Sequence, residues 1–112
     1  MTRLLTVRTP YVHCDMSAPR FEWDPAKATA NARKHGVSFA EAATVFEDDE
    51  ALLVPDPDHS VGEERYVLLG LSSALRVLVV VHCELAGGEV IRLISARKAD
   101  RSERQSYLDR RP

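Results

Sequence analysis

Val77-Leu78-Val79-Val80-Val81 is an unbroken apolar run containing four valines, and it constrains the fold more than any other stretch. β-Branched side chains suit a pleated surface better than a helix. Successive residues of a strand face opposite sides, so a strand apolar at every position is buried on both faces. This one must be central in a sheet. Ala51–Val54, Arg65–Leu71 and Glu89–Arg97 supply further strands around a third strand at Arg76–Cys83. They are separated by Pro55-Asp56-Pro57-Asp58 with the polar loop after it, by Ser72-Ser73-Ala74 and by Ala86-Gly87-Gly88. These connections leave no room for crossover helices, so the spacing predicts a four-stranded antiparallel sheet.

Helix signals flank the strands. Asp24-Pro25 is a start signal, with Asp24 placed to accept from unpaired N–H groups and Pro25 at the first helical position. The helix ends near His35, before Gly36, a left-handed C′ candidate. Ser38-Phe39-Ala40-Glu41 has the form of a capping box and opens a second helix to about Phe46. Asp100-Arg101-Ser102-Glu103 opens a last helix to about Asp109. The order ααββββα predicts an α+β domain with two N-terminal helices, a sheet covered on one face and a C-terminal helix. Residues 1–20 lack periodicity and are expected to form a disordered extension, which leaves 21–112 as a single domain. Phe21-Glu22-Trp23 is a short strand or hook, with Trp23 as a core anchor.

The formal net charge is −2, which argues against a general nucleic-acid coat protein. Its distribution is uneven. Glu41 to Glu64 holds nine acidic residues and no Lys or Arg, whereas Arg92 to Arg111 holds seven basic residues against three acidic ones. Such segregation predicts one positive and one negative face. No apolar run approaches the roughly 20 residues of a membrane span, and the N-terminus lacks the apolar core of a signal peptide. Cys14 and Cys83 are far apart. Free thiols in a cytoplasmic protein are the simpler expectation.

Val90-Ile91-Arg92-Leu93-Ile94-Ser95-Ala96-Arg97-Lys98-Ala99 carries three cations out of an apolar strand. A guanidinium in such a strand costs desolvation unless an anion meets it, and phosphate matches its fork of donors. Several separated motifs then occur in one order: Trp23-Asp24-Pro25-Ala26-Lys27, Asn31, Lys34-His35-Gly36-Val37-Ser38-Phe39, Gly62-Glu63-Glu64-Arg65 and the block Ile91–Ala99. Over about residues 21–110 the chain resembles the BrnT family, toxins of bacterial type II toxin–antitoxin systems with a RelE/ParE-like fold. The resemblance implies a ribonuclease that blocks translation by cutting RNA, free or on the ribosome. It also implies a cognate BrnA-like antitoxin with a DNA-binding domain, in a complex for which a heterotetramer is one arrangement.

Metal-free RNA cleavage needs a base for the 2′-hydroxyl, cations for the phosphorane and an acid for the 5′-oxygen. Arg65, Arg92 and Arg97 are the cationic candidates, and His35 and His82 the titratable ones. His35 ends a helix, where the dipole favours imidazolium. Strict alternation places Arg92 and Arg97 on opposite faces, so they serve one site only if a bulge intervenes. Lys27 and Lys34 lie seven apart on one helix face, and Lys98, Arg101 and Arg104 extend the basic segment; all five are RNA-binding candidates. Tyr107 is a candidate to stack on a base or to pack on the sheet. Asp56-Pro57-Asp58-His59 with Glu63-Glu64 superficially resembles a hard-cation site, but its spacing matches no ligand loop. No metal or cofactor is therefore expected. A non-catalytic nucleic-acid or partner-binding module, a gyrase poison of the ParE type and a metal-dependent nuclease stay open as alternatives.

Overall fold

The computed structural model describes residues 19–56 and 64–110. In chain order the elements are β1 (Arg20–Glu22), α1 (Pro25–His35), α2 (Phe39–Thr44), a 3₁₀ turn at Val45–Glu47, β2 (Leu52–Pro55), β3 (Arg65–Leu71), β4 (Val77–Leu85), β5 (Val90–Lys98) and α3 (Arg101–Arg110). The strands form one sheet in the order β1-β5-β4-β3-β2. β2 to β5 are the expected antiparallel meander, with β4 central. The four-stranded expectation needs correction: β1 adds a fifth strand, parallel to β5, making the sheet mixed. Three residues are too few to display an alternation, and their partner lies about 70 positions away along the chain. Arg20, assigned with the N-terminal extension, opens this strand; residues 1–18 lie outside the described part. No helix among the described residues is long and apolar enough to cross a membrane.

The core follows the strand pleat. Val37, Phe39, Ala42 and Val45 from the helical layer pack on Leu68, Leu78, Val80, Ile91, Leu93 and Ala96 of the sheet. The opposite face is not bare, contrary to the expectation of one covered face. Tyr107 of α3 packs there with Leu69, Val79 and Ala99. The Tyr107 hydroxyl donates to Asp48 Oδ2 at 2.6 Å, and the Leu71 N–H donates to the same oxygen at 2.8 Å. Tyr107 is buried, so its ring is closed to a nucleic-acid base and its place among the RNA-binding candidates is corrected to the core.

The helix ends follow their signals with two departures. Gly36 adopts φ 70°, the left-handed conformation glycine accepts without strain, and donates to the Ala32 carbonyl. Asp24 stands at the N-cap of α1 but its side chain caps nothing. Ser38 accepts from Glu41 N–H at 3.0 Å, forming half a capping box. The Glu41 carboxylate turns instead to Arg76 and to the Ser72 hydroxyl; the Arg76 hydrogen bond is the main reason it stays below the usual carboxylate range. Trp23 meets Phe39 edge-on at 5.9 Å, yet it is 37% exposed, so it caps the core rather than anchoring it. Gly70 permits the close approach of the residue 45–51 segment. A Cβ there would sit 2.8 Å from both Val45 Cγ1 and Ala51 Cβ.

Asn31 is the polar stitch between α1 and the sheet. Its Nδ2 donates to the carbonyls of Ala96 at 2.8 Å and Val37 at 3.0 Å, and its Oδ1 accepts from Ala96 N–H at 3.0 Å. A buried amide satisfied on both ends adds little net energy. Removing it strands three backbone groups away from water, at about 1–3 kcal/mol for an unpaired group. Asn31→Ala should therefore lose about 3 kcal/mol in urea unfolding, far more than Ala32→Ser on the exposed side of the same helix.

His82 is fully buried on the helical side of β4. Phe46 meets its ring edge-on at 4.8 Å and Tyr66 stacks at 6.0 Å. Neither ring nitrogen has a hydrogen-bond partner, and Glu84 Oε2 lies 3.8 Å from Nε2. Burial pushes the imidazole down to about 4, a backbone contact with Val80 opposing this weakly. A neutral ring sealed in the core is not a general acid, which corrects the catalytic assignment of His82. Because the folded state resists protonation while the unfolded chain does not, stability is held above about pH 6.5 and drains as pH falls toward about 4. The loss should be on the order of 3 kcal/mol in urea midpoints across that window, and His82→Phe should flatten it.

Candidate functional site: an arginine-lined sheet face

A register break in β5 creates this face. His82 pairs with Leu93 and Val81 with Ser95, so Ile94 has no partner in β4. One extra residue inverts the alternation beyond it. Ile91 and Leu93 before the bulge and Ala96 after it all enter the helical-side core. Arg92 and Arg97 consequently share the opposite face, and the apparent conflict in their spacing is resolved.

Cys83 of β4 pairs with Arg65 of β3 on one side and Arg92 of β5 on the other. The two arginines thus straddle a small, buried residue, with backbones about 10 Å apart across two strand spacings. Beyond Arg92 the same row continues to Glu22 of β1. Arg97 pairs with Val79, four residues from Cys83 along β4 and so about 13 Å farther down the face.

Each arginine meets a carboxylate of its own chain, in very different settings. Arg97 forks onto Glu103, with Nη1–Oε1 2.8 Å and Nη2–Oε2 2.9 Å. The same Glu103 exchanges capping bonds with Asp100 at the start of α3, at 2.8 and 2.7 Å. Arg97 chiefly holds Glu103 below its ordinary carboxylate value, and the pair fastens α3 to the sheet. Arg65 Nε lies 3.2 Å from Asp56 Oδ2 in a half-buried setting. Arg92 Nε donates to Glu22 Oε2 at 2.7 Å and its Nη2 lies 2.7 Å from the same oxygen, with the side chains 55% and 44% exposed. So open an ion pair is screened by water and worth roughly 0–1 kcal/mol, and it leaves Arg92 within reach of a phosphate. Beside Val79 the face carries an apolar hollow of about 120 Å³ lined by Leu52, Val54, Val67, Leu69 and Val79, with Glu103 at its rim.

The other candidates fall elsewhere. Lys27 and Lys34 are exposed on α1, on the far side of the sheet. His35 ends that helix, half-buried, next to Gly36, whose carbonyl accepts from Arg76 at 3.1 Å. Lys98 pairs with Leu78 and follows the helical-side parity, while Arg101 and Arg104 are exposed on α3. The structure therefore joins Arg65 and Arg92, sets Arg97 along the same face, and keeps both histidines apart from them. Glu22 and Cys83 escaped the sequence reading because their places depend on long-range strand register. Asp56 had a local signal, as an acid facing Arg65 across a hairpin. Among the described residues no three His, Cys, Asp or Glu side chains gather to hold a metal; Asp58, His59 and Glu63 lie outside those residues.

No curated protein matches the chain. Its fold matches the crystal structure of the Brucella abortus ribonuclease toxin BrnT with a TM-score of 0.58 at 24% identity, covering 75% of this chain and 100% of that one. The family model described as the ribonuclease toxin BrnT of type II toxin–antitoxin systems matches residues 23–103. With that match spanning most of the chain and the shared fold beside it, the protein belongs to the BrnT family of ribonuclease toxins.

Proposed function

We propose that the chain is a metal-independent endoribonuclease that arrests translation, with the scissile phosphate held between Arg65 and Arg92 above Cys83. The observation that carries this reading is the pair of guanidinium groups flanking one small residue, the loosely held Arg92 on the outer side. Two planar forks converging from opposite strands suit the equatorial oxygens of a phosphorane. Arg97, locked on Glu103, positions α3 and adds field rather than contact. Lys27, Lys34, Lys98, Arg101 and Arg104 are solvent-facing charges that attract RNA backbone from outside the cleavage site.

The family implies a cognate antitoxin. Its seat on this reading is the hollow lined by Leu52, Val54, Val67 and Val79. At about 120 Å³ it falls well short of the ~300 Å³ at which small-molecule pockets begin, a scale that suits aliphatic side chains of an amphipathic segment. Carboxylates on that segment would meet Arg65 and Arg92, so one docking event covers both the apolar strip and the cationic row.

Purified protein should cut RNA in the presence of EDTA. Arg92→Ala should fold normally and lose about 10²–10³-fold in cleavage rate, the cost of one oxyanion donor. Full activity in folded Arg92→Ala would remove that residue from the chemistry. Cleavage abolished by EDTA and restored by Mg²⁺ would instead indicate a metal nuclease, and arrest of replication before protein synthesis a gyrase poison. Val54→Asp, which places a charge in the hollow, should keep RNA cleavage while abolishing growth rescue by the co-expressed neighbouring open reading frame.

A further inference from the structure

Strand cleavage through the 2′-hydroxyl requires a base, and neither His35 nor His82, the histidines among the described residues, stands at the arginine row. The carboxylates paired with arginines differ in one respect that bears on this. Glu103 is engaged at both oxygens by Arg97 and also takes the Asp100 N–H. Glu41 is engaged at both by Arg76 and holds the Ser72 hydroxyl. Asp56, opposite Arg65, is largely withdrawn from solvent. Glu22 is the exposed one: Arg92 Nε donates to its Oε2, with Nη2 also 2.7 Å from that oxygen, and Oε1 has no partner among the described residues. It is exposed on the open face, at the outer end of the row that runs Arg65, Cys83, Arg92.

We propose that Glu22 is the general base of the reaction, oriented through Oε2 by Arg92 and accepting the 2′-hydroxyl proton at Oε1. The proposal rests on the nuclease reading and deepens it. The atoms balance without a further reactant. The O2′–H proton passes to Glu22, O2′ bonds to phosphorus, the P–O5′ bond breaks, and the 5′-oxygen takes a proton from water. The products are a 2′,3′-cyclic phosphate and a 5′-hydroxyl, and Glu22 returns its proton to solvent. One guanidinium then has two duties: it fixes the base and touches the phosphate, which sets the two at hydrogen-bond range of the same donor. Among the described residues, the charged and titratable groups in register with Glu22 are Arg20 on its own strand, Arg92 on β5 and Cys83 one strand beyond.

The test is cleavage of a defined RNA by the full chain, followed as kcat and KM against pH, with thermal unfolding as the folding control. Glu22→Gln keeps the size of the side chain and a carbonyl oxygen for Arg92 but cannot take a proton. It should lower kcat by about 10²–10⁴-fold, leave KM unchanged, and erase the acid limb that a proton-accepting base gives the kcat profile. Glu22→Asp should restore that limb at an intermediate rate. Glu22→Gln retaining wild-type kcat and its acid limb would overturn the assignment while leaving the nuclease reading intact. A raised KM or lower melting temperature with the acid limb preserved would mark the residue as a strut for Arg92 and would also overturn it. A wild-type chain that cuts no RNA would defeat both readings together.

Discussion

A single unpaired residue, Ile94, determines which side chains of β5 meet which partners. Without that bulge, the two halves of the strand could not place Ile91, Leu93 and Ala96 in one core while turning Arg92 and Arg97 to the other side. An arginine in the helical layer would be buried without a carboxylate to receive it, at a cost of several kcal/mol. The bulge thus serves stability and placement at once. It keeps the apolar residues under α1 and α2, and it delivers both cations to a face where acids wait for them.

The two faces of the sheet divide the protein's tasks. On the helical side, Asn31 ties α1 to the edge of β5 and His82 is sealed among Phe46 and Tyr66. Those polar groups specify packing. On the other side, α3 covers the Arg97 end through Tyr107 and the Arg97–Glu103 fork, and the Arg65–Cys83–Arg92 row lies farther along the same face. The ion pairs grade from locked to loose along that face. Glu103 is bound at both oxygens and by a capping bond, whereas Glu22 is held at one oxygen in open solvent.

Much of this was legible from local pattern. The central strand followed from the valine run, the hairpins from loop length, and both ends of α1 from Pro25 and Gly36. Arg65, Arg92 and Arg97 followed from charges set in apolar strands. The missing parts share a cause. β1 is three residues long and pairs across about 70 positions, so the short strand or hook expected at Phe21-Glu22-Trp23 carried no sign of its partner. The bulge is a register event between strands and leaves no mark in composition. His82 and Tyr107 are chemically versatile side chains whose role is decided by burial alone, and burial is a property of the assembled sheet. Glu22 was invisible for the same reason as β1.

The separation of Glu22 from Arg92 has a temporal side. A contact spanning 70 residues must wait for most of the polypeptide to exist, and closing so large a loop is slow compared with forming a hairpin. During synthesis the β2–β4 meander can assemble first, and the docking of β1 against β5 follows late. A chain still threaded through the exit tunnel therefore holds Glu22 without Arg92. The β1–β5 end of the arginine row is therefore the last part of the sheet to close.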